Sequence, residues 1–337
     1  MTSNIDLVLK ELFNLQRLGI KVGLEHTEEL LDNIGNPHSY LKFIHIAGTN
    51  GKGSTCAILN KILIEHGMIV GLYTSPHLVR FNERIQVNNE KIPDADIALF
   101  MNHYINQIKN IQTTFFETTT AMAFDYFNNK SVDIAIIETG LGGRLDSTNV
   151  ISPTICGISS VSLDHMDILG DTIQKIAAEK AGIIKDNIPI VTFDQNKFVI
   201  DIIKKTAAQK NAALTVIKNS DIELLSIDDQ GTSFNYKNYT INLPLSGKHQ
   251  ILNCVLAINI AESIINNIYP DKVNKAILNT SWLGRIEKLT KSDIYFDVAH
   301  NYDGLKAMIN TIKSCLLYTS DAADEGLGVD LGGRRII

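Results

Sequence analysis

Cysteine is scarce in this sequence of 337 residues, which contains four cysteines and a single tryptophan. Cys56, Cys156, Cys254 and Cys315 lie far apart in the chain, and no two of them form a Cys-x-x-Cys pair. Zinc sites and disulfide frameworks both show closely or regularly spaced cysteines. The pattern therefore argues against both, and we expect the thiols to be buried and free.

Long hydrophobic runs and an excess of basic residues are also missing. No segment reaches the roughly 18 consecutive apolar residues of a membrane-spanning helix, and residues 1–6 lack the basic stretch that begins a signal peptide. The formal net charge is -6, from 31 basic and 37 acidic side chains, whereas nucleic-acid binding needs a basic surface. We expect a cytoplasmic protein with no nucleic-acid or membrane partner, and we expect it to be a monomer.

What the sequence does contain is the composition of an ordinary globular protein, 45% hydrophobic and 20% charged. Short apolar runs alternate with longer segments of helical period, and these runs lie at residues 43–47, 69–73, 133–137 and 188–191. The alternation predicts an α/β fold with a mostly parallel sheet covered by helices. Residues 220–243 instead alternate every two residues around turn signals at 229–231 and 237–238, which predicts a small antiparallel meander.

A glycine-rich loop separates a predicted strand at residues 43–47 from a predicted helix at residues 54–65. Glycines let several backbone N–H groups converge on phosphate oxygens at a helix N-terminus, and Lys52 can reach the terminal phosphates. The generic G-x-x-x-x-G-K-S/T pattern is not satisfied, because Ile46 and Gly53 occupy two of its fixed positions. A turn that only caps the helix is the alternative. The residues that we assign to ATP binding in this loop are Gly48, Thr49, Asn50, Gly51, Lys52, Gly53, Ser54 and Thr55.

The loop and the strand before it resemble those of folylpolyglutamate synthases and dihydrofolate synthases, which are relatives of the Mur peptide ligases. Further motifs follow in that family's order, at residues 74–78, 116–121, 138–149, 164–166, 178–185, 247–253, 282–287 and 297–301. The resemblance extends over residues 1–314. Two departures are Val298, where the family commonly has glycine, and Tyr302, where it commonly has proline. Both look like variation beside the site.

The resemblance implies a Mur ligase-like, ATP-dependent enzyme that uses Mg²⁺. It would add L-glutamate to dihydropteroate, to the (poly)glutamates of a reduced folate such as tetrahydrofolate, or to both, by way of an acyl phosphate. The sequence does not decide between these substrates. A Mur-type peptide ligase is the nearest different substrate class, although the loops at residues 48–54 and 74–78 have the form of the folate branch.

The resemblance also assigns metal ligands and catalytic groups. It implies Ser75, Glu138 and His165 as magnesium ligands, and a carbamylated Lys180 that helps to hold a second magnesium ion. Lys52, His165 and Lys180 would be the catalytic residues. Judged alone, His165 would be a structural or surface histidine, Glu138 a solvated acid at the end of a strand, and Lys180 a residue on the solvated face of a helix.

The remaining assignments concern the nucleotide and the pterin ring. The family's nucleotide contacts correspond to Asn253, Arg285, Asp297 and His300, and arginine suits this role because its planar fork binds phosphate oxygens in pairs. Phe116 and Asp146 correspond to substrate-binding residues. For Phe116 a place in the hydrophobic core is the alternative.

The pattern divides the chain into three parts. Residues 1–290 are expected to form the ATP-binding domain, and residues 291–314 the beginning of a truncated C-terminal glutamate-ligase domain. From residue 315 the sequence resembles a translated sequencing adapter, and we interpret residues 315–337 as a non-native tail, with a natural flexible tail as the alternative. An inactive nucleotide-binding fragment is therefore a further hypothesis, in which the chain as written binds ATP weakly and ligates nothing.

Overall fold

The computed structural model describes residues 4–19, 21, 23–289 and 294–316. Its helices are α1 Asn4–Asn14, α2 Glu25–Asn33, α3 Lys52–Glu65, α4 Asp94–Ile111, α5 Phe115–Asn129, α6 Met166–Leu169, α7 Ile173–Ala181, α8 Lys197–Gln209, α9 Lys248–Ile264, α10 Pro270–Leu278 and α11 Tyr302–Leu316. Its strands are β1 Phe43–Ala47, β2 Val70–Tyr73, β3 Ile85–Val87, β4 Glu90–Lys91, β5 Ile134–Glu138, β6 Ile155–Ile158, β7 Ile190–Phe193, β8 Leu214–Ile217, β9 Ile222–Asp228, β10 Gly231–Tyr236, β11 Tyr239–Leu243, β12 Glu287–Lys288 and β13 Tyr295–Phe296.

The centre of the molecule is an eight-stranded sheet in the order β4-β3-β2-β5-β1-β6-β7-β8. The six strands from β2 to β8 in that order are parallel to one another. At the other edge, β3 pairs antiparallel with both β2 and β4. Strands β1 and β5 are buried along their whole length, because helices cover both faces of the sheet. The predicted α/β class and mostly parallel sheet are therefore confirmed.

Alternate side chains of β1 enter different parts of the core. Ile44 and Ile46 pack into a cluster with α3, α9 and α10, whereas Phe43 packs into a second cluster with α1, α2, α4 and α5. A third cluster, with α7 and α8, covers the β6–β7 end of the sheet. The carboxyl ends of β1 and β5 consequently lie between fully packed layers, which hold the residues after them in fixed positions.

The meander predicted for residues 220–243 is present as the antiparallel sheet β11-β10-β9. Its turns fall at the predicted signals, with Gly231 at φ +149° and Lys237 at φ +51°. Phe234, Tyr236 and Ile241 point into the same cluster as α9 and α10. The meander is thus part of the layer that covers the central sheet.

The C-terminal described segment adds the two-residue strands β12 and β13, which pair antiparallel, and helix α11. The strand predicted near residues 293–298 is observed only at Tyr295–Phe296. The proposed domain boundary at residues 290–291 lies outside the described residues, and so does the proposed tail at 315–337 except for residues 315 and 316, which end α11. The division into domains therefore stays a prediction. Among the described parts of the chain, no helix is long and apolar enough to cross a membrane.

Three of the four cysteines have described side chains. Cys56, Cys156 and Cys254 are all buried and free, as predicted. Burial raises the pKa of Cys156 to about 12 and also raises the pKa values of Cys56 and Cys254, so these thiols stay protonated near neutral pH. The side chain of Cys315 lies outside the described residues.

Candidate active site

The glycine-rich loop joins β1 to α3 at the carboxyl end of the sheet. Gly51 has φ +89° and immediately precedes Lys52, so the helix starts two residues earlier than predicted. A Cβ atom at Gly51 would lie 2.1 Å from Asn253 Oδ1, and one at Gly48 would lie 1.9 Å from Ser159 Oγ. These close approaches require glycine at both positions, and the first amides of α3 are then available to an anion.

Lys52 folds back over this loop. Its Nζ donates to the carbonyls of Gly48 and Thr49 at 3.1 and 3.2 Å and lies 4.0 Å from Glu138 Oε1. The hydroxyls of Ser54 and Thr55 are buried and have no partner among the described residues. Unpaired hydroxyls beside a lysine and a carboxylate fit a hard cation and phosphate oxygens, which would satisfy them.

Glu138 ends β5, next to β1, and is 4% exposed. Its Oε2 accepts a hydrogen bond from the backbone N–H of Ser75 at 3.2 Å. Burial raises the pKa of Glu138, while Lys52, the Ser75 amide and Arg285 act in the opposite direction. The Glu138 carboxylate is therefore buried among cationic groups. It is not the solvated acid at the end of a strand that the residue, judged alone, would be.

Lys180 projects from α7 toward the phosphate loop. Its Nζ donates to the Gly48 carbonyl at 2.8 Å, and the side chain is only 4% exposed. Burial, together with the nearby charge of Lys52, lowers the pKa of Lys180 to about 7. The interpretation of Lys180 as a solvated helix-face residue is therefore wrong, because the helix turns this position toward the loop.

His165 has φ +48° and precedes α6. Its side chain is 53% exposed, and its Nε2 lies 3.9 Å from Asp164 Oδ1. Within the described residues, no group of three or more His, Cys, Asp or Glu side chains is arranged to hold a metal ion. The predicted set of Ser75, Glu138 and His165 would thus need oxygen atoms of the substrate or of water as further ligands, and it stays a prediction.

Arg285, just before β12, and Asp297, just after β13, line the cleft together with the phosphate loop. Burial lowers the pKa of Arg285, opposed by Asp297 and Glu138, and Nη1 of Arg285 donates to the Gly284 carbonyl at 3.0 Å. The carboxylate of Asp297 accepts the backbone N–H groups of Ile286 at 2.9 Å and of Ala299 at 2.7 Å. Asp297 thereby holds Ile286 at φ +51°, an unfavourable backbone conformation for a β-branched residue.

An amide clasp formed by Asn50, Asn301 and Asp164 links the segment after β13 to the phosphate loop. Asn50 and Asn301 exchange hydrogen bonds between their side-chain amides at 3.0 and 3.1 Å. Asn301 Nδ2 also donates to Asp164 Oδ2 at 2.9 Å, and His300 Nε2 lies 3.8 Å from the same oxygen. The sequence interpretation did not assign Asp164 or Asn301, although each is adjacent to an assigned histidine in a recognised motif.

The two residues assigned to the pterin lie behind the cleft wall. Phe116 stacks on Tyr73 with ring centroids 5.9 Å apart, and a Cβ at Gly140 would lie 2.4 Å from its ring. Asp146 is 5% exposed and accepts the Leu141 N–H at 2.7 Å. Neither side chain lines the cleft in this conformation, whereas Gly140 and Leu141 do. Both assignments stay predictions.

These elements enclose the phosphate-loop cleft, a cavity of about 770 Å³. The cleft brings together every residue assigned to ATP or magnesium except Thr55, with Lys180 beside them. Residues that sequence reasoning missed also line it, namely Asp164, His249, Gln250, Trp282 and Gly304. Such a volume is of the size that holds a nucleotide or a drug-sized ligand.

Comparison with known proteins agrees with this arrangement. The Mur ligase middle domain matches residues 46–261. A dihydrofolate synthase/folylpolyglutamate synthase of Bacillus subtilis is 37% identical over 318 residues, which cover 88% of this chain and 73% of the relative. The folylpolyglutamate synthase of Lacticaseibacillus casei is 35% identical over 302 residues, covering 84% of this chain and 71% of the relative.

Solved structures give the same result. The folylpolyglutamate synthase of Thermotoga maritima superposes with a TM-score of 0.82 at 34% identity, covering 94% of this chain and 76% of that one. A complex of a folylpolyglutamate synthase with AMPPCP and folate superposes with a TM-score of 0.84 at 32% identity, covering 92% and 80%. The chain therefore belongs to the folylpolyglutamate synthase/dihydrofolate synthase family of ATP-dependent ligases, which is built on the Mur ligase middle domain.

Proposed function

We propose that this protein joins L-glutamate to the carboxylate of dihydropteroate, of a reduced folate, or of both, by way of an acyl phosphate. The observation that carries the proposal is the arrangement around Gly48, whose carbonyl accepts hydrogen bonds from both Lys52 and Lys180 beside buried Glu138. Two lysines and a carboxylate at the start of a helix form a site for transfer of a phosphoryl group.

Binding of the nucleotide rests on the loop and on Arg285. The free amides at the start of α3 would receive phosphate oxygens, and Lys52 would exchange its loop carbonyls for the terminal phosphates. Arg285 is buried on the opposite wall of the cleft, where its fork can bind phosphate oxygens in pairs. Asp297 and His300 would complete the nucleotide contacts from the segment that the amide clasp holds.

Glu138, Ser75 and His165 would hold magnesium, with the Ser54 or Thr55 hydroxyl as a further oxygen donor. A bound magnesium ion would supply neutralisation of the phosphate charge. Glu138 is suited to this role because its carboxylate is buried beside the loop and its orientation is fixed by the Ser75 amide. His165 lines the same cleft and is accessible to a ligand.

The chemistry then requires positioning more than proton transfer. The substrate carboxylate attacks the terminal phosphorus and ADP leaves, after which the glutamate amine attacks the acyl carbon, loses a proton and displaces phosphate. Lys52 and Arg285 are placed to stabilise the charge that develops on the phosphoryl oxygens. Phe116 and Asp146 would act on the pterin end from behind the wall formed by Gly140 and Leu141.

Carbamylation of Lys180 is part of the proposal. A pKa of about 7 leaves a large fraction of this buried amine neutral near neutral pH, and only the neutral amine adds to carbon dioxide. The resulting carbamate would be an anionic oxygen ligand next to Lys52 and the loop. Labelled bicarbonate and carbon NMR test this directly, because a carbamate signal is expected in the wild type and not in Lys180→Met.

Product analysis tests the reaction itself. The protein is incubated with ATP, magnesium and glutamate, together with dihydropteroate or with tetrahydrofolate, and products are separated by mass. Glutamate addition to either substrate is expected, with one ADP formed per bond. Turnover that instead requires a UDP-muramoyl substrate would favour a Mur-type peptide ligase, and ATP binding without ligation would favour the nucleotide-binding fragment. A cytoplasmic monomer remains our expectation for the protein itself.

A further inference from the structure

His45 is a polar residue in the middle of the innermost strand. It lies on β1 opposite Ile137 of β5 and Cys156 of β6, and its side chain is fully buried. Burial, with a smaller contribution from Lys185, lowers the pKa of His45 to about 3. The imidazole is therefore neutral near neutral pH and carries a single N–H.

Hydrogen bonds beyond His45 fix the position of that proton. Nε2 lies 2.9 Å from Thr148 Oγ1, and the Thr148 hydroxyl donates its own proton to Asp146 Oδ1. Because that hydroxyl proton is already committed, Thr148 must accept from His45, so the proton is on Nε2. Nδ1 is then an unprotonated nitrogen, and it is buried with no partner among the described residues.

The three side chains form a one-directional relay that ends on the cleft wall. Asp146 Oδ1 also accepts the Thr148 backbone N–H at 3.0 Å, and Oδ2 accepts the Leu141 N–H at 2.7 Å. Leu141 and its neighbours Gly140 and Gly142 line the phosphate-loop cleft. The relay therefore connects β1, which leads into the phosphate loop, with the part of the cleft wall formed by Gly140, Leu141 and Gly142.

The far side of this wall is held independently. Arg144 N–H donates to the Glu179 carbonyl of α7 at 2.8 Å, and a Cβ at Gly143 would lie 2.8 Å from the same oxygen. Helix α7 also carries Lys180. The wall is thus fixed between α7 on one side and Asp146 on the other, and only the Asp146 side depends on His45.

We propose that His45 is a positioning residue that, through Thr148 and Asp146, sets the Gly140–Gly142 wall and with it the binding of the pterin substrate. The part concerning the substrate rests on the proposed function. An apolar side chain at position 45 would keep the strand apolar, but Thr148 would lose its donor, and the hydroxyl that donates to Asp146 Oδ1 would no longer be held in place. Strand β1 then stays buried, while the Gly140–Gly142 wall becomes more mobile.

The experiment compares His45→Phe, Thr148→Val and the double variant with the wild type. We expect each single variant to raise the KM for dihydropteroate or tetrahydrofolate about fivefold, the effect of one lost hydrogen bond, with the KM for ATP nearly unchanged. The double variant should match the single variants, because both changes cut the same relay. Thr148→Ser keeps the hydroxyl, so its KM for dihydropteroate or tetrahydrofolate should equal that of the wild type.

Thr192→Val is the matched control. Thr192 is equally buried in β7 of the same sheet and does not line the cleft, and its hydroxyl donates to the Ile158 carbonyl at 2.8 Å and accepts from Gln195 Nε2 at 3.2 Å. This variant should lose stability without a change in either KM. The proposal is overturned if His45→Phe and Thr148→Val behave like Thr192→Val, or if their effects on KM multiply in the double variant.

Hydrogen exchange separates this proposal from the proposed function. The Leu141 amide should exchange faster in His45→Phe and Thr148→Val than in the wild type and in Thr192→Val, whether or not the protein ligates glutamate. Faster exchange in a protein that does not ligate would support the positioning role and reject the function. Unchanged exchange would reject the positioning role even where the ligase activity is found.

Discussion

At the scale of single residues, we expect Lys52 to carry the charge that meets the phosphates. In the structure its ammonium is held by two loop carbonyls and lies 4.0 Å from Glu138 Oε1, so it is already oriented at the start of α3. Lys52→Met keeps the length of the side chain and removes the charge. Because a hydrogen bond to a charged group contributes about 1.5–3 kcal/mol, ATP should bind on the order of ten- to a hundredfold more weakly.

Titration calorimetry with ATP and magnesium measures this effect. Lys205→Met, at an exposed position of α8, is the control and should bind ATP like the wild type. Equal affinity in Lys52→Met and Lys205→Met would mean that the loop does not hold the phosphates.

Lys180 gives a second prediction at this scale, in the dependence of stability on pH. Its pKa is lowered to about 7 in the folded state from 10.5, so between these values the unfolded chain binds more protons than the folded one. Stability should therefore rise with pH across this window and lose that contribution as pH falls through 7. The free energy of unfolding of the wild type relative to Lys180→Met should increase from pH 7 to 10, by at most about 1.4 kcal/mol per pH unit.

Urea unfolding at several pH values measures the difference. Lys175→Met removes a lysine of the same helix whose side chain is 63% exposed, and it is the matched control. A difference between wild type and Lys180→Met that does not change with pH would contradict the burial of an amine at this position.

At the scale of elements, helix α11 is attached to the phosphate loop through the amide clasp. Asn301 Oδ1 accepts the Gly304 N–H at 2.9 Å, which caps the first turn of α11, and the same side chain pairs with Asn50. Asn301→Ala should destabilise the protein by about 0.5–2 kcal/mol through the lost cap, and it should also weaken ATP binding because Asn50 belongs to the loop.

Asn310→Ala, at an exposed position of the same helix, separates the two effects in urea unfolding and ATP titration. It should leave both the unfolding midpoint and the ATP affinity close to wild type. If Asn301→Ala lowers stability but binds ATP normally, the clasp holds the helix without acting on the loop.

The elements themselves were largely predictable from sequence, whereas their contacts were not. The alternation of apolar runs with helical periods predicted the parallel sheet, and the turn signals predicted the meander, because both depend on local periodicity. The start of α3 was placed two residues late, since no local pattern indicates the left-handed conformation of Gly51 or the Asn253 side chain that lies beside it. Asn50 and Asn301 are 251 positions apart, and no local pattern reports such a pair.

The same limit explains which site residues were found. Glu138 stands at the end of a predicted strand, and Lys52 follows the loop after another, at the edge where functional groups of an open parallel sheet collect. The buried position of Lys180 contradicts its helical pattern, because α7 turns this residue toward Gly48 instead of solvent. In the sequence, His45 is one more residue of a predicted buried strand. Its hydrogen bond to Thr148, 103 positions later, is seen only in the structure.

At the scale of the whole molecule, the cleft is built from many separate stretches of the chain. Its lining comes from the phosphate loop, the end of β5, helix α7 and residues 281–285 and 297–308, and also from positions within residues 72–91, 160–169 and 249–253. The only tryptophan of the sequence, Trp282, lies in this cleft, and a Cβ at Gly53 would be 3.0 Å from its indole ring. Trp282 fluorescence therefore reports on the cleft, while far-ultraviolet circular dichroism reports on all helices and strands.

A nucleotide that contacts several of these stretches should stabilise the fold as one unit. At a free concentration of ATP and magnesium about 100 times the Kd, linkage adds about 2.7 kcal/mol to the free energy of unfolding. An unfolding entropy of about 2.1 cal/mol/K per residue then gives a rise in Tm of about 4 °C for a chain of 337 residues. Fluorescence and circular dichroism should shift together by this amount, and Lys52→Met, which binds ATP ten- to a hundredfold more weakly, should shift by only about 0.6–2 °C at the same ATP concentration. A Trp282 transition that moves with ATP while the circular dichroism transition stays in place would mean that the cleft residues around Trp282 unfold separately from the sheet. The nucleotide would then stabilise only those residues.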